Sequence, residues 1–141
     1  MRDMPRNDAL AFMMVGTRTG KLATTRPDGR PHLAPIWFVV EGEDVVFNTW
    51  HTSVKALNLA SDPRASLLVD LEEPPYAYVM VEGTVEVVTD LDEVRRVATI
   101  IGGRYMGKGR AESFGRRNGV EGELMVRLRI EKLVAKDDVA G

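Results

Sequence analysis

The 141-residue chain is predicted to be mainly β with added helices (α+β), built as a six-stranded antiparallel barrel with a few peripheral helices. Three observations predict it. Short β-prone runs alternate with turn signals, foremost Pro27-Asp28-Gly29 and Glu41-Gly42-Glu43-Asp44. The run Tyr76–Val88 alternates, with Ala77, Val79, Val81, Gly83, Val85 and Val87 on one face and Tyr78, Met80, Glu82, Thr84 and Glu86 on the other. Helical spacing appears only in short insertions between these runs, a pattern that suits a small barrel closed by hairpins.

The elements follow in order. Asn7 or Asp8 is placed to cap a short helix over Ala9–Val15, which Gly16 stops. Lys21–Thr25 is the first strand, and the turn Arg26–Arg30 leads to a second from His32 to Val40. Both faces of that strand are apolar: Leu33, Pro35, Trp37 and Val39 on one, Ala34, Ile36, Phe38 and Val40 on the other. One face can line the barrel interior, so the other calls for a helix, a cofactor or a second subunit as cover. Val45–Thr49 is the third strand. A short helix capped by Thr52 or Ser53 follows, with Val54, Leu57 and Leu59 or Ala60 apolar, and Ser61-Asp62-Pro63 ends it. Ala65–Leu71 is the fourth strand and Tyr76–Val88 the fifth, where Gly83 marks a bulge or sharp bend. Asp90 to Glu93 has capping-box spacing and opens a helix with the stripe Leu91, Val94, Val97, Ala98 and Ile101. Gly102-Gly103 weakens or ends it, and a glycine- and arginine-rich segment runs to Gly119. The last strand, Leu124 to about Val134, changes parity at Leu133 and calls for a bulge near Lys132. No repeat or linker divides the chain, so residues 1–141 read as a single domain.

Composition narrows the function. Net charge is −2, which offers no general field for nucleic acid or an anionic membrane. There is no cysteine and there are two histidines, which argues against disulfides, thiol catalysis and a histidine-rich metal site. The apolar run 9–15 is too short for a membrane span or a signal peptide, so the expectation is an unprocessed cytoplasmic protein. Thr49, Thr52, Ser53 and Lys55 surround a helix start, where free N–H groups and the dipole favour an anion. Spacing alone equally allows an ordinary helix cap beside a solvated lysine.

The motifs Leu22–Phe38, Thr52–Ser66 and Val81–Val85, in that order, resemble the pyridoxamine 5′-phosphate oxidase-like split-barrel family, and more narrowly the branch that uses the deazaflavin coenzyme F-420. The resemblance runs from about Leu10 to Val134. It implies a split barrel and a homodimer with cofactor sites at the subunit interface. It further implies that Pro35, Ile36, Trp37 and Phe38 line the ring site, much of it through backbone groups. Thr49, Thr52, Ser53 and Lys55 would then hold the phosphate, with Asn58 and Arg64 as lesser candidates and Tyr78 near the partner's cofactor. The basic residues Arg104, Lys108, Arg110, Arg116 and Arg117 stand against Glu112 alone. They suit either the coenzyme's polyglutamate tail or a solvated loop, or an ion pair with the acidic Asp70–Glu73 of a neighbour.

The function this implies is an F-420-dependent reductase passing hydride to a conjugated, electron-poor small molecule such as a quinone, enone or tetrapyrrole. No side chain is identified as catalytic; His51, Tyr78, Tyr105 or water is placed to supply a proton. The alternatives are an FMN-binding oxidoreductase of the same fold and a non-enzymatic carrier of a cofactor or tetrapyrrole.

Overall fold

A computed structural model describes residues 1–141. The strands are β1 (Arg2–Asp3), β2 (Gly20–Thr25), β3 (Pro31–Ile36), β4 (Val39–Glu41), β5 (Asp44–Trp50), β6 (Arg64–Leu71), β7 (Ala77–Val88) and β8 (Glu123–Asp137). The helices are α1 (Arg6–Met13), α2 (Val54–Ser61), α3 (Leu91–Met106) and α4 (Ala111–Asn118), with a 3-10 turn at Lys108–Arg110. No helix is long and apolar enough to cross a membrane.

All strand pairs are antiparallel, in the order β3-β2-β6-β7-β8-β5-β4, and β1 joins β8. The end strands β3 and β4 do not pair with each other, so the barrel is split rather than closed. Its interior holds Leu22, Phe38, Phe47, Leu67, Val79, Val81, Val126 and Leu128, with Met13 of α1 and Val94 and Val97 of α3 packed in from the sides. Apolar burial at these positions is the main force holding sheet and helices together.

The strand expected over His32–Val40 is two strands. Between them the Phe38 N–H donates to the Tyr105 hydroxyl at 3.2 Å, and the Phe38 carbonyl accepts from Arg104 Nη1 at 2.6 Å. Helix side chains thus take the backbone groups that a ladder would use, and the strand breaks there. The break turns Val39 inward beside Ile36 and Phe38, while Leu33, Pro35 and Trp37 of the same expected face stay exposed. β1 was not foreseen; it brings the strand segments to eight.

Other elements differ in detail. Pro5, not Asn7 or Asp8, stands at the start of α1, without a side-chain cap. Ser53 caps α2, but Val54 and Leu57 are exposed while Ala56, Asn58 and Leu59 are buried. Asp90 caps α3, yet Glu93 does not close a capping box because Arg96 engages it. α3 runs through Gly102-Gly103 to Met106, and the segment expected as a loop folds as α4 against it. These glycines permit close packing: a Cβ on Gly102 would lie 2.5 Å from Phe114 Cβ, and one on Gly115 2.0 Å from Thr99 Oγ1.

The β7–β8 bulge forms where expected. Glu82 faces Lys132 but Gly83 faces Ile130, leaving Glu131 over. A Cβ on Gly83 would meet the Arg129 carbonyl oxygen at 1.8 Å, so glycine alone fits. An ion network ties α3 to the sheet: Glu41 accepts from Arg96 Nη1 at 2.7 Å and from Arg127 Nη2 at 2.7 Å, and Arg127 also reaches Asp44.

Candidate functional site

The break between β3 and β4 opens a cavity of about 310 Å³. Pro35, Ile36 and Trp37 form one wall, and Ala98, Ile101 and Gly102 of α3 with Phe114 of α4 form another. Its polar lining consists of Asn48 on β5, Lys55 on α2, Asn118 on α4 and Glu123 on β8.

Trp37 is held flat. Its ring stacks on Tyr105 with centroids 4.9 Å apart and planes 4° from parallel, and Phe114 packs at 50° on its flank. Tyr105 is fixed in turn, donating its hydroxyl to the Arg18 carbonyl at 2.8 Å. Burial pushes that phenol above its usual value. Arg104 lies over the rings of Phe38 and Tyr105 and donates to the carbonyls of Phe38, Met13 and Gly16. It belongs to α3 and is a scaffold residue, separate from the exposed basic face of α4.

Lys55 sits one residue inside α2 and takes part in no ion pair or side-chain hydrogen bond, so its ammonium is free to meet an anion in the cavity. The nearby carboxyl of Glu123 is pushed up by burial and drawn back by Lys55. Asn48 donates its amide to the Val94 and Leu124 carbonyls, leaving Oδ1 as an acceptor.

The structure thus brings Pro35, Ile36, Trp37 and Lys55 into one cavity and places the other expected residues elsewhere. The Phe38 side chain is fully buried in the core and both its backbone polar groups are engaged. The Thr49 and Ser53 hydroxyls bond each other at 2.7 Å, and Ser53 accepts from the Ala56 N–H, so both serve the helix start. Thr52 is exposed and does not line the cavity. Asn58 is buried and donates to Thr24 Oγ1 at 3.1 Å. Arg64 makes a two-bond pair with Asp62, at 3.0 and 2.8 Å. Tyr78 faces outward from the sheet, between Asp70 and Lys136 in register. Arg116 and Arg117 are exposed on α4, the helix whose Phe114 covers the cavity; Arg117 lies over that ring. His51 Nδ1 bonds the Gly122 carbonyl at 2.9 Å.

Sequence reasoning missed Asn48, Phe114, Asn118 and Glu123. Glu123 is brought in by register, opposite Trp50 across β5 and β8. No local signal in the sequence marks it.

Comparison with known proteins agrees with this architecture. The profile of the pyridoxamine 5′-phosphate oxidase family matches residues 7–135. The chain therefore belongs to that family of split-barrel proteins, which includes oxidoreductases. A conserved hypothetical protein from Mycobacterium tuberculosis superposes with a TM-score of 0.84 at 28% identity, covering 96% of this chain and 86% of that one. An F-420 reductase gives 0.69 at 24% identity, covering 86% and 93%. The heme storage protein of Vibrio cholerae gives 0.72 at 20% identity over the full length of both chains.

Proposed function

We propose that the protein is a coenzyme F-420-dependent reductase acting on a conjugated, electron-poor small molecule. The observation that carries this is the placement of a fixed aromatic wall, Trp37, and a partnerless cation, Lys55, in one cavity at the break in the barrel. Such a donor set fits a flat heterocycle joined to a phosphate. The phosphate faces Lys55 near the positive end of α2. The exposed guanidinium groups of Arg116 and Arg117 favour a ligand with further carboxylates, which the F-420 tail has and FMN lacks. When bound, the reduced deazaflavin supplies a hydride; the protein's part is to hold ring and acceptor in contact and to exclude water. Tyr105 is committed to backbone partners and Tyr78 lies on the outer face, so the reading leaves the acceptor's proton to solvent or to the exposed His51, which bonds the carbonyl of Gly122 next to Glu123.

The same reading places a second copy of the chain against the outer sheet face. Leu33 is 69% exposed and Leu68 37%, and the register puts Ala23, Met80 and Val134 on the same face. Such an apolar stripe suits a homodimer. The deciding experiment is a fluorescence titration of the purified protein with F-420 and FMN side by side. Tighter binding of F-420, weakened severely in Lys55→Ala, is expected. A preference for FMN overturns the coenzyme assignment.

A further inference from the structure

The carboxylate of Glu123 makes no side-chain hydrogen bond and no ion pair, although it lines the cavity. It shares that cavity with Lys55 and feels its charge, yet the two do not pair. Its surroundings are sparse in charge. α2 contributes Lys55, β5 contributes the neutral Asn48, α4 contributes the neutral Asn118, and α3 faces it with apolar residues. His51 bonds the Gly122 carbonyl next door, Arg95 donates to the Gly119 carbonyl, and Glu121 lines an adjoining cavity of about 420 Å³ that Glu123 also borders.

One cation and one anion therefore line the same cavity, and an incoming anion feels both. A phosphodiester carries one negative charge. A phosphomonoester carries about −1.5 to −2 at neutral pH and close to −2 above it. Attraction to Lys55 grows with the second charge, and so does repulsion from Glu123. Because Lys55 is already partly offset by the carboxylate, the second charge adds desolvation cost with little net attraction.

We propose that Glu123 determines which phosphate Lys55 accepts, favouring singly charged phosphodiesters over doubly charged phosphomonoesters. This rests on the assignment of Lys55 as the phosphate-holding group. It gives that site a basis for separating F-420, whose phosphate is a diester, from FMN, whose phosphate is a monoester. The elevated proton affinity that burial gives the Glu123 carboxyl agrees with a group set close to a ligand's charge without a full counter-ion.

The test uses small probes, so that it does not depend on the coenzyme. Wild type, Glu123→Gln and Glu121→Gln are titrated at pH 8 with phenyl phosphate, a dianion, and methyl phenyl phosphate, a monoanion, followed by ligand-observed NMR. Wild type is expected to bind the diester about tenfold more tightly than the monoester. Glu123→Gln is expected to remove most of that difference by strengthening monoester binding, while Glu121→Gln keeps it. An unchanged ratio in Glu123→Gln, an equal change in Glu121→Gln, or failure of wild type to bind either ester overturns the proposal. If the esters are discriminated but F-420 does not bind, the reductase reading falls and the role of Glu123 stands. If F-420 binds and the ester ratio ignores Glu123, the reverse holds.

Discussion

The phenol of Tyr105 lies parallel to the indole of Trp37, and its hydroxyl ties the strand break to the segment ahead of β2 by accepting from Phe38 N–H and donating to the Arg18 carbonyl. The cavity wall is therefore braced by a residue from the far end of α3. Tyr105→Phe keeps the ring stack but leaves the Phe38 N–H unpaired, which costs about 1–3 kcal/mol of stability. Tyr105→Ala removes the stack as well and should cost more. Urea unfolding of the two variants checks both the loss and its order.

Arg104 spans three carbonyls, those of Met13, Gly16 and Phe38, from a single planar fork. Lysine has one ammonium and cannot reach all three in this geometry. Arg104→Lys should lower stability by about 2–3 kcal/mol, and hydrogen exchange at residues 13–18 and 37–39 should quicken more than in β7 or β8. Uniform acceleration across the sheet would contradict this local role.

Acid should act through Glu41. Hydrogen bonds from Arg96, then Arg127, hold its carboxyl at about 2 against burial, which pushes it up. A folded-state value below the unfolded one means stability that is present above about 4.5 and is lost as pH falls towards 2. The carboxylate is partly exposed, so solvent screening reduces the effect to on the order of 1–2 kcal/mol. Thermal melts of wild type between pH 6 and pH 3 should show a drop that Glu41→Gln reduces. Glu41→Gln should itself be less stable at pH 7.

The seam between α3 and α4 leaves no room for a methyl group at Gly102 or Gly115. Gly102→Ala should push Phe114 away from the cavity and cost about 1–3 kcal/mol. Because Phe114 lines the cavity proposed to hold the coenzyme, F-420 affinity should fall along with stability. A variant that melts early but binds F-420 as wild type would separate α4 from the site.

Much of the fold is legible where the signal is local. The Arg26–Arg30 turn forms with Gly29 at a φ of 88°, and the β7–β8 bulge follows from a glycine in mid-strand and a parity change eight to ten residues before the end. Signals that depend on distant partners are not legible. Nothing around Phe38 shows that Arg104 and Tyr105 will take its backbone groups, because those residues lie 66 and 67 positions away. Glycines read as breakers prove to be spacers once α4 has a helix to pack against. In the candidate site, Lys55 announces itself at a helix start. Glu123 enters only through the register that sets it beside Trp50.

The prolines of β3 carry a consequence for solubility. β3 bonds only to β2, so its other side faces outward with nothing to pair with. Pro31, Leu33 and Pro35 alternate with residues bonded to β2, so their nitrogens fall on that outward side. Two of the three bear no hydrogen, and only Leu33 can donate there. A strand from another molecule would find a single donor where it needs a row. This margin of the barrel is thereby protected from growing into fibrils, even though the leucine within it is open to solvent.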